Sequence, residues 1–390
     1  MKNLLCIANF PSNTGFAWTF IEGLYAALAN RLEHRGVRTW VAYPSDRGYP
    51  ETLKESVAEP LYFPLSFGSP SSILELSRAI RSYRIGALYL SDQPVWHPAF
   101  GALRLTGLKA LVVHDHTSGL RTVPGPLKGL LKKSRFLLRS FTADRVVAVS
   151  DFVYDRKVHV DLLPPEKVTR IWNSVPIPTS LPTSTEKRKT LSQMGLKPDR
   201  VTVGCASRAA EEKGIPILLR AFDRIWREST PEERPQLIYM GDGPFLGDIK
   251  NVRNELQAAR DIHLLGYVNH AVKVLSSVSL AAVPSLWHEA FGMAALEPMS
   301  WGVPVIASKM GGLPEVIEDG KSGILFPPGD EEALARAMKT LMDDAEASAR
   351  MGGRGRERAS KLFSREAQVD QLEALFMKEM LRKEMLKRED

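Results

Sequence analysis

One rhythm constrains this chain more than anything else in it, and it runs twice. Short apolar stretches alternate with longer segments whose apolar residues recur every three or four positions. Residues Lys2–Ala8 read as a strand. Phe20, Ile21, Leu24, Ala27, Leu28 and Leu32 then fall on one helical face, with Gly36 as the stop. The spacing predicts further strands at Val37–Tyr43, Ala87–Leu90, Leu108–Val113, Arg145–Val149 and Val168–Trp172. It predicts helices around 71–84, 97–106 and 126–140, and one capped by Ser150 or Asp151. Residues 175–190, with Pro176, Pro178 and Pro182, read as a linker. The alternation then restarts, with strands at Thr202–Ala206, Gln236–Met240, Ile262–Leu264, Leu280–Val283, Pro304–Ala307 and Gly323–Phe326, and the chain turns helical from about 365.

Short strands separated by helices imply parallel strands joined by right-handed crossovers. The expected fold class is therefore α/β, with two doubly wound, Rossmann-like parallel-sheet domains. The expected bounds are 1–176 and 177–365, and the segment 366–390 is expected to pack back on the first domain. Such sheets bind ligands beyond the carboxyl ends of their strands, and two facing sheets would set that edge at a cleft.

Composition removes other classes. At 390 residues and 44% hydrophobic, with 28 Gly and 26 Pro dispersed along the chain, this is ordinary globular material. No apolar run approaches the ~18 residues of a membrane span, and Leu4 to Ala8 is too brief for a signal peptide. Cys6 and Cys205, each in an apolar run, read as buried thiols in a reducing cytoplasm. Residues 101–140 carry eight Lys and Arg against one acid, Asp115. That excess of seven equals the excess of the whole chain, 52 against 45. The basic character is one local feature, and no aromatic stripe accompanies it, so nucleic acid is not the expected partner. Within it Leu127, Leu130, Leu131, Phe136, Leu137 and Leu138 recur among the cations. This suits either a helix packing its leucines inward or an element that meets an anionic membrane surface.

The chemistry-bearing residues concentrate in the second half. Glu289 and Glu297 flank a predicted helix start after strand 280–283, and acids so placed can accept hydrogen bonds from sugar and ribose hydroxyls. The helix start between them offers N–H groups to an anion. Gly311-Gly312 follows strand 304–307, and Gly241-Asp242-Gly243 follows strand 236–240. Arg208 and Lys213, with Gly214, follow strand 202–206. Cations and glycines after successive parallel strands suit a diphosphate. In the first half, His114-Asp115-His116 stands directly after Leu111–Val113.

The run from Pro284-Ser285 through Glu289-Ala290-Phe291-Gly292, Glu297, Gly302 to Ser308, Gly311-Gly312, Pro314-Glu315, Gly323 and Pro327 to Asp330 resembles the donor-site signature of the retaining family 4 glycosyltransferases. These use nucleotide sugars and have the two-domain GT-B fold. Ser207-Arg208 and Glu212-Lys213-Gly214 resemble their phosphate-binding segment. Pro11 to Gly15 resembles the first glycine loop, Asp144–Ser150 their strand of similar pattern, and Asn173-Ser174-Val175 the entry to the linker.

The resemblance implies sugar transfer from a nucleotide-diphosphate donor to a hydroxyl acceptor with retention, in cell-surface glycan, lipopolysaccharide or glycolipid synthesis. It implies that Arg208 and Lys213 neutralise the diphosphate, Glu289 holds sugar hydroxyls and Glu297 binds ribose. Gly15, Gly241, Gly243, Phe291, Gly292, Gly311 and Gly312 would line the donor site. His114 matches the family's histidine, with Asp115 and His116 as alternatives. Asn13-Thr14-Gly15-Phe16 has one glycine where the family has two, so a narrower acceptor side is expected, and Pro298 predicts a kink or early end of the helix bearing Glu297.

The chain has no Asp-x-Asp to hold a divalent ion on the diphosphate, so no metal or other cofactor is expected. The expected partners are a nucleotide-sugar donor, a glycan or lipid-linked acceptor and, through 126–140, the cytoplasmic face of a membrane. A nucleotide-sugar epimerase and a non-catalytic nucleotide-sugar binder remain as alternatives. A dehydrogenase does not, because no Gly-x-Gly-x-x-Gly opens either half.

Overall fold

The computed structural model describes residues 2–12, 14, 17–63 and 65–389. The chain divides into two compact units, 1–173 with 365–390, and 174–364.

The first unit is built on seven parallel strands: β1 (Asn3–Ile7), β2 (Thr39–Tyr43), β3 (Glu59–Tyr62), β4 (Ile85–Ser91), β5 (Ala110–Asp115), β6 (Arg145–Ala148) and β7 (Val168–Arg170). Their order is β3-β2-β1-β4-β5-β6-β7, so the winding reverses between β1 and β4. The inner strands β1, β4 and β5 are buried along almost their whole length, which is why they read as continuous apolar runs. The helix Arg365–Glu389 belongs to this unit. Its Val369, Leu372 and Phe376 enter the core, with the Phe376 ring against Tyr89 of β4. Arg35 pairs with Glu373 at 2.7 Å and Arg145 with Glu379 at 2.6 Å, which fixes the helix on both sides.

The second unit has six parallel strands: β8 (Thr202–Ala206), β9 (Gln236–Met240), β10 (Ile262–Leu264), β11 (Leu280–Val283), β12 (Val305–Ser308) and β13 (Ile324–Phe326), in the order β10-β9-β8-β11-β12-β13. Its switch lies between β8 and β11. The helix Ile215–Glu228 buries Leu218, Leu219, Phe222 and Ile225 on this sheet.

Three segments depart from expectation. β3 is only four residues long, starts with Glu59-Pro60 and is only partly buried, so it lacks the apolar signature of its neighbours. The span 175–190 is not a plain linker. Thr183 caps a helix Ser184–Gln193, accepting from the Glu186 N–H while Glu186 reaches back to the Thr183 N–H, a capping box written in Thr-x-x-Glu. The helix expected over 126–140 ends at Arg135, and its leucines do not pack inward. Leu127, Leu130 and Leu131 are 72%, 67% and 57% exposed, and Leu137 is 81% exposed. No helix among the described residues is long and apolar enough to cross a membrane.

Candidate functional site

The carboxyl edge of the second sheet is assembled by loops packed backbone on backbone. After β9, Gly241 donates its N–H to Gly266 O at 2.7 Å. A Cβ at Gly241 would stand 1.8 Å from Ser207 O, and one at Gly243 2.5 Å from Ala209 O. Only glycine admits that approach, and through it the turn holds the segment carrying Arg208. Gly214, with φ +66°, packs against Pro284 O, and Leu286 donates to Glu212 O at 2.8 Å. That contact ties the Lys213 turn to the loop after β11.

After β12, Gly312 donates to Glu289 O at 2.9 Å, and a Cβ at Gly311 would meet the backbone of Glu289 at 2.4 Å. The paired glycines thus clamp the segment 288–291. Gly292, at φ +121°, precedes the helix Met293–Ser300. The ring of Phe291 is 2% exposed and lies edge-on to Phe363 at 5.4 Å, so only its backbone can face a ligand.

The charged groups occupy this frame unequally. Lys213 Nζ donates to Glu289 Oε1 at 2.6 Å, and Ser285 Oγ donates to the same oxygen at 2.8 Å. The second carboxylate oxygen of Glu289 is left for other donors. Arg208 is exposed and makes no ion pair among the described residues. Glu297 is half-buried in the helix Met293–Ser300, which ends two residues after Pro298. Its carboxyl has no hydrogen-bond partner among the described residues, and loss of hydration pushes it up to about 7. An unpartnered, poorly hydrated carboxylate in the second turn of this helix can accept hydrogen bonds from hydroxyl donors.

In the first unit, His114 ends β5 with its ring fully buried. Tyr89 Oη meets His114 Nδ1, while His114 Nε2 has no partner. His116 lies over it, ring centroids 4.1 Å apart, and both His116 ring nitrogens are also buried without a hydrogen bond. Burial, then the neighbouring His116, holds His114 neutral, well below the usual imidazole range. Asp115 is committed elsewhere. Burial alone would raise its carboxyl, but Lys157, Thr117 and Arg156 bring it down to about 2. Of the three candidates, the histidines keep atoms for a ligand and Asp115 does not. Three orphaned ring nitrogens at one strand end are unusual, since buried polar atoms are normally satisfied. Asp92, at φ +54° after β4, accepts the His116 N–H at 2.6 Å. Gly15, the expected first-loop glycine, lies outside the described residues.

Comparison with known proteins matches both halves. The family model described as Glycosyl transferases group 1 covers residues 186–358, and that described as Glycosyltransferase Family 4 covers 22–177. The chain belongs to the family 4 glycosyltransferases.

Among curated relatives, N-acetyl-alpha-D-glucosaminyl L-malate synthase of Bacillus anthracis is 32% identical over 42% of this chain and 42% of its own length. D-inositol 3-phosphate glycosyltransferase of Saccharomonospora viridis is 27% identical over 61% of this chain and 56% of its own. The chain thus spans about half the length of these relatives. Among solved structures, a glycosyltransferase from Rickettsia africae superposes with a TM-score of 0.80 at 19% identity, covering 97% of this chain and 98% of that one. The Anabaena protein HepE, solved with UDP and glucose, gives 0.77 at 19%, covering 97% and 100%. These place the two units within the GT-B fold.

Within this family 4 glycosyltransferase, the sequence reading missed the direct Lys213–Glu289 pair and the Ser285 hydroxyl that steadies it. The Asp115–Lys157–Arg156 cluster was missed as well. Pairing across 76 residues leaves no local signal; Ser285, four residues before Glu289, was the one legible hint.

Proposed function

We propose that this protein transfers a sugar from a nucleotide-diphosphate donor to a hydroxyl acceptor with retention of anomeric configuration. The observation that carries the reading is the set of groups on one sheet edge: exposed Arg208, the Lys213–Glu289 pair and the unpartnered Glu297. Breaking the sugar–phosphate bond builds negative charge on the departing diphosphate. Arg208 and Lys213 lie on the edge where that charge would sit, and fixed cations there lower the barrier.

In this reading the incoming phosphate draws Lys213 away from Glu289. The freed carboxylate then takes up sugar hydroxyls, Glu297 takes the ribose, and the phosphate accepts the acceptor's proton. The cation pair performs the charge stabilisation that a divalent ion performs elsewhere, so the reaction runs without one. A free histidine nitrogen at His114 or His116 contacts the sugar or acceptor, and for His114 this requires His116 to move aside. A screen of nucleotide sugars by thermal stabilisation and slow donor hydrolysis tests the reading, and NMR of the product reads its anomeric configuration. Inversion, or an altered free nucleotide sugar with no need for an acceptor, would refute it.

The acceptor is assigned to the surface of a membrane, in cell-surface glycan or glycolipid synthesis on the cytoplasmic side. Support comes from the helix Pro126–Arg135, which exposes Leu127, Leu130 and Leu131 beside Lys128, Lys132 and Lys133. Apolar side chains left in water next to cations suit an anionic lipid interface. Vesicle co-sedimentation should require anionic lipid and fade with salt. Replacing the three leucines by serine should abolish it; undiminished binding would reject this face.

A further inference from the structure

The second unit has a cavity at the opposite end of its sheet. It lies at the amino ends of β8, β9 and β10, has a volume of about 610 Å³, and is lined by residues that include Lys197, Arg200, Trp226, Arg234, Arg260 and Asp261. A strand of five residues rises ~15 Å, so this cavity and the glycine-clamped edge are separate places on one domain.

Its floor is locked. Arg200 Nη1 donates to Asp261 Oδ1 at 2.6 Å, and Trp226 Nε1 donates to Asp261 Oδ2 at 2.7 Å. Arg200 also donates to Arg234 O at 2.5 Å and Pro235 O at 2.8 Å. The one lining carboxylate is therefore fully used, and so is Arg200.

The remaining cations are not answered. The Arg234 guanidinium carbon stands over the Trp226 ring, 3.7 Å from its centroid. Its Nε is buried without a hydrogen-bond partner, although buried donors are normally satisfied. The ring contact restrains the guanidinium, and its Nη atoms, which make no hydrogen bond among the described residues, offer a fork of the kind that suits phosphate oxygens. Lys197 and Arg260 line the same cavity and form no ion pair among the described residues. Three like charges around a concave surface raise a positive potential that favours a multiply charged anion. The cavity size is that of a small-molecule site.

We propose that this cavity is a second, phosphoryl-binding site on the donor domain, taking a small polyanion such as a free diphosphate or a phosphorylated sugar. Arg234 receives the phosphoryl oxygens, and Arg260 and Lys197 add charge from the rim. The site is independent of the donor-edge reading.

Calorimetric titration of the full chain tests it, with inorganic diphosphate in one arm and glucose 6-phosphate in the other. Wild type, the doubly altered Arg208→Ala, Lys213→Ala protein, and that protein with Arg260→Gln or Arg234→Gln added are compared. The donor-edge double variant should still bind diphosphate, and Arg260→Gln or Arg234→Gln added to that variant should each weaken the remaining binding by about tenfold or more. Arg260 is exposed, so its replacement tests charge without threatening the fold. The arm with the tighter binding names the source of the phosphoryl group. Undiminished affinity in both added arginine variants, binding lost in the donor-edge double variant, or no binding by wild type in either arm would overturn the proposal.

Discussion

Lys213 and Glu289 hold each other at 2.6 Å, so two groups proposed for different parts of a donor are joined to each other. In the proposed reading an incoming diphosphate competes with the Glu289 carboxylate for the same ammonium. Lys213→Ala and Arg208→Ala should each lower kcat by ~10²–10³-fold, the loss typical of one transition-state charge contact. Steady-state kinetics within tenfold of wild type in both would remove their role. Glu297 gives a pH test. Loss of hydration pushes its carboxyl up to about 7, and in the proposed reading ribose hydroxyls donate to the ionised form. Binding therefore favours the deprotonated state, and nucleoside diphosphate affinity should rise as pH climbs through 7. Glu297→Gln should flatten that profile. The same shift acts on the fold with opposite sign: a carboxyl raised from its ordinary range of about 4.3 takes stability away as pH rises from there to 7. Residue identity at this site was legible because strand ends and glycines mark it in the sequence. Partnership was not, because Lys213 meets Glu289 only after β8 and β11 become neighbours.

At the scale of elements, every strand of the second sheet could be read from its apolar run, most of them to within one residue. The inner strands β8, β9, β11 and β12 are buried along almost their whole length, which removes the ambiguity of alternation. β3 escaped because an edge strand needs no apolar face and here tolerates Pro60. The helix Ser184–Gln193 escaped because it is polar, with Leu191 as its one buried residue, so the cap rather than periodicity announced it. The C-terminal helix completes the core of the first unit through Phe376, which is fully buried against Tyr89. Phe376→Ala should destabilise that unit by about 3–5 kcal/mol, measured as a lowered Tm. An unchanged Tm would mean that the helix does not carry core packing. The glycine turns make a matching prediction. Gly241→Ala places a methyl against Ser207 O, so it should weaken nucleotide binding by displacing Arg208.

At the scale of the whole molecule, both units use the same doubly wound plan, with the reversal of strand order at β1/β4 in one and at β8/β11 in the other. Each brings its chemistry to the carboxyl edge: histidines with orphaned nitrogens in the first, cations and carboxylates in the second. The local basic excess was visible in the sequence. The direction its leucines face was not, because the same spacing serves an inward or an outward stripe. If the cation pair alone carries the leaving group's charge, exhaustive chelation should leave transfer rates unchanged, and a rate that falls with EDTA and returns with a divalent ion would contradict this. The most direct measurement is a crystal of the protein soaked with UDP or GDP. The diphosphate should lie beside Arg208 and Lys213 with the ribose on Glu297, and Lys213 should be turned from Glu289. Nucleotide bound elsewhere, with the Lys213–Glu289 pair intact, would contradict this.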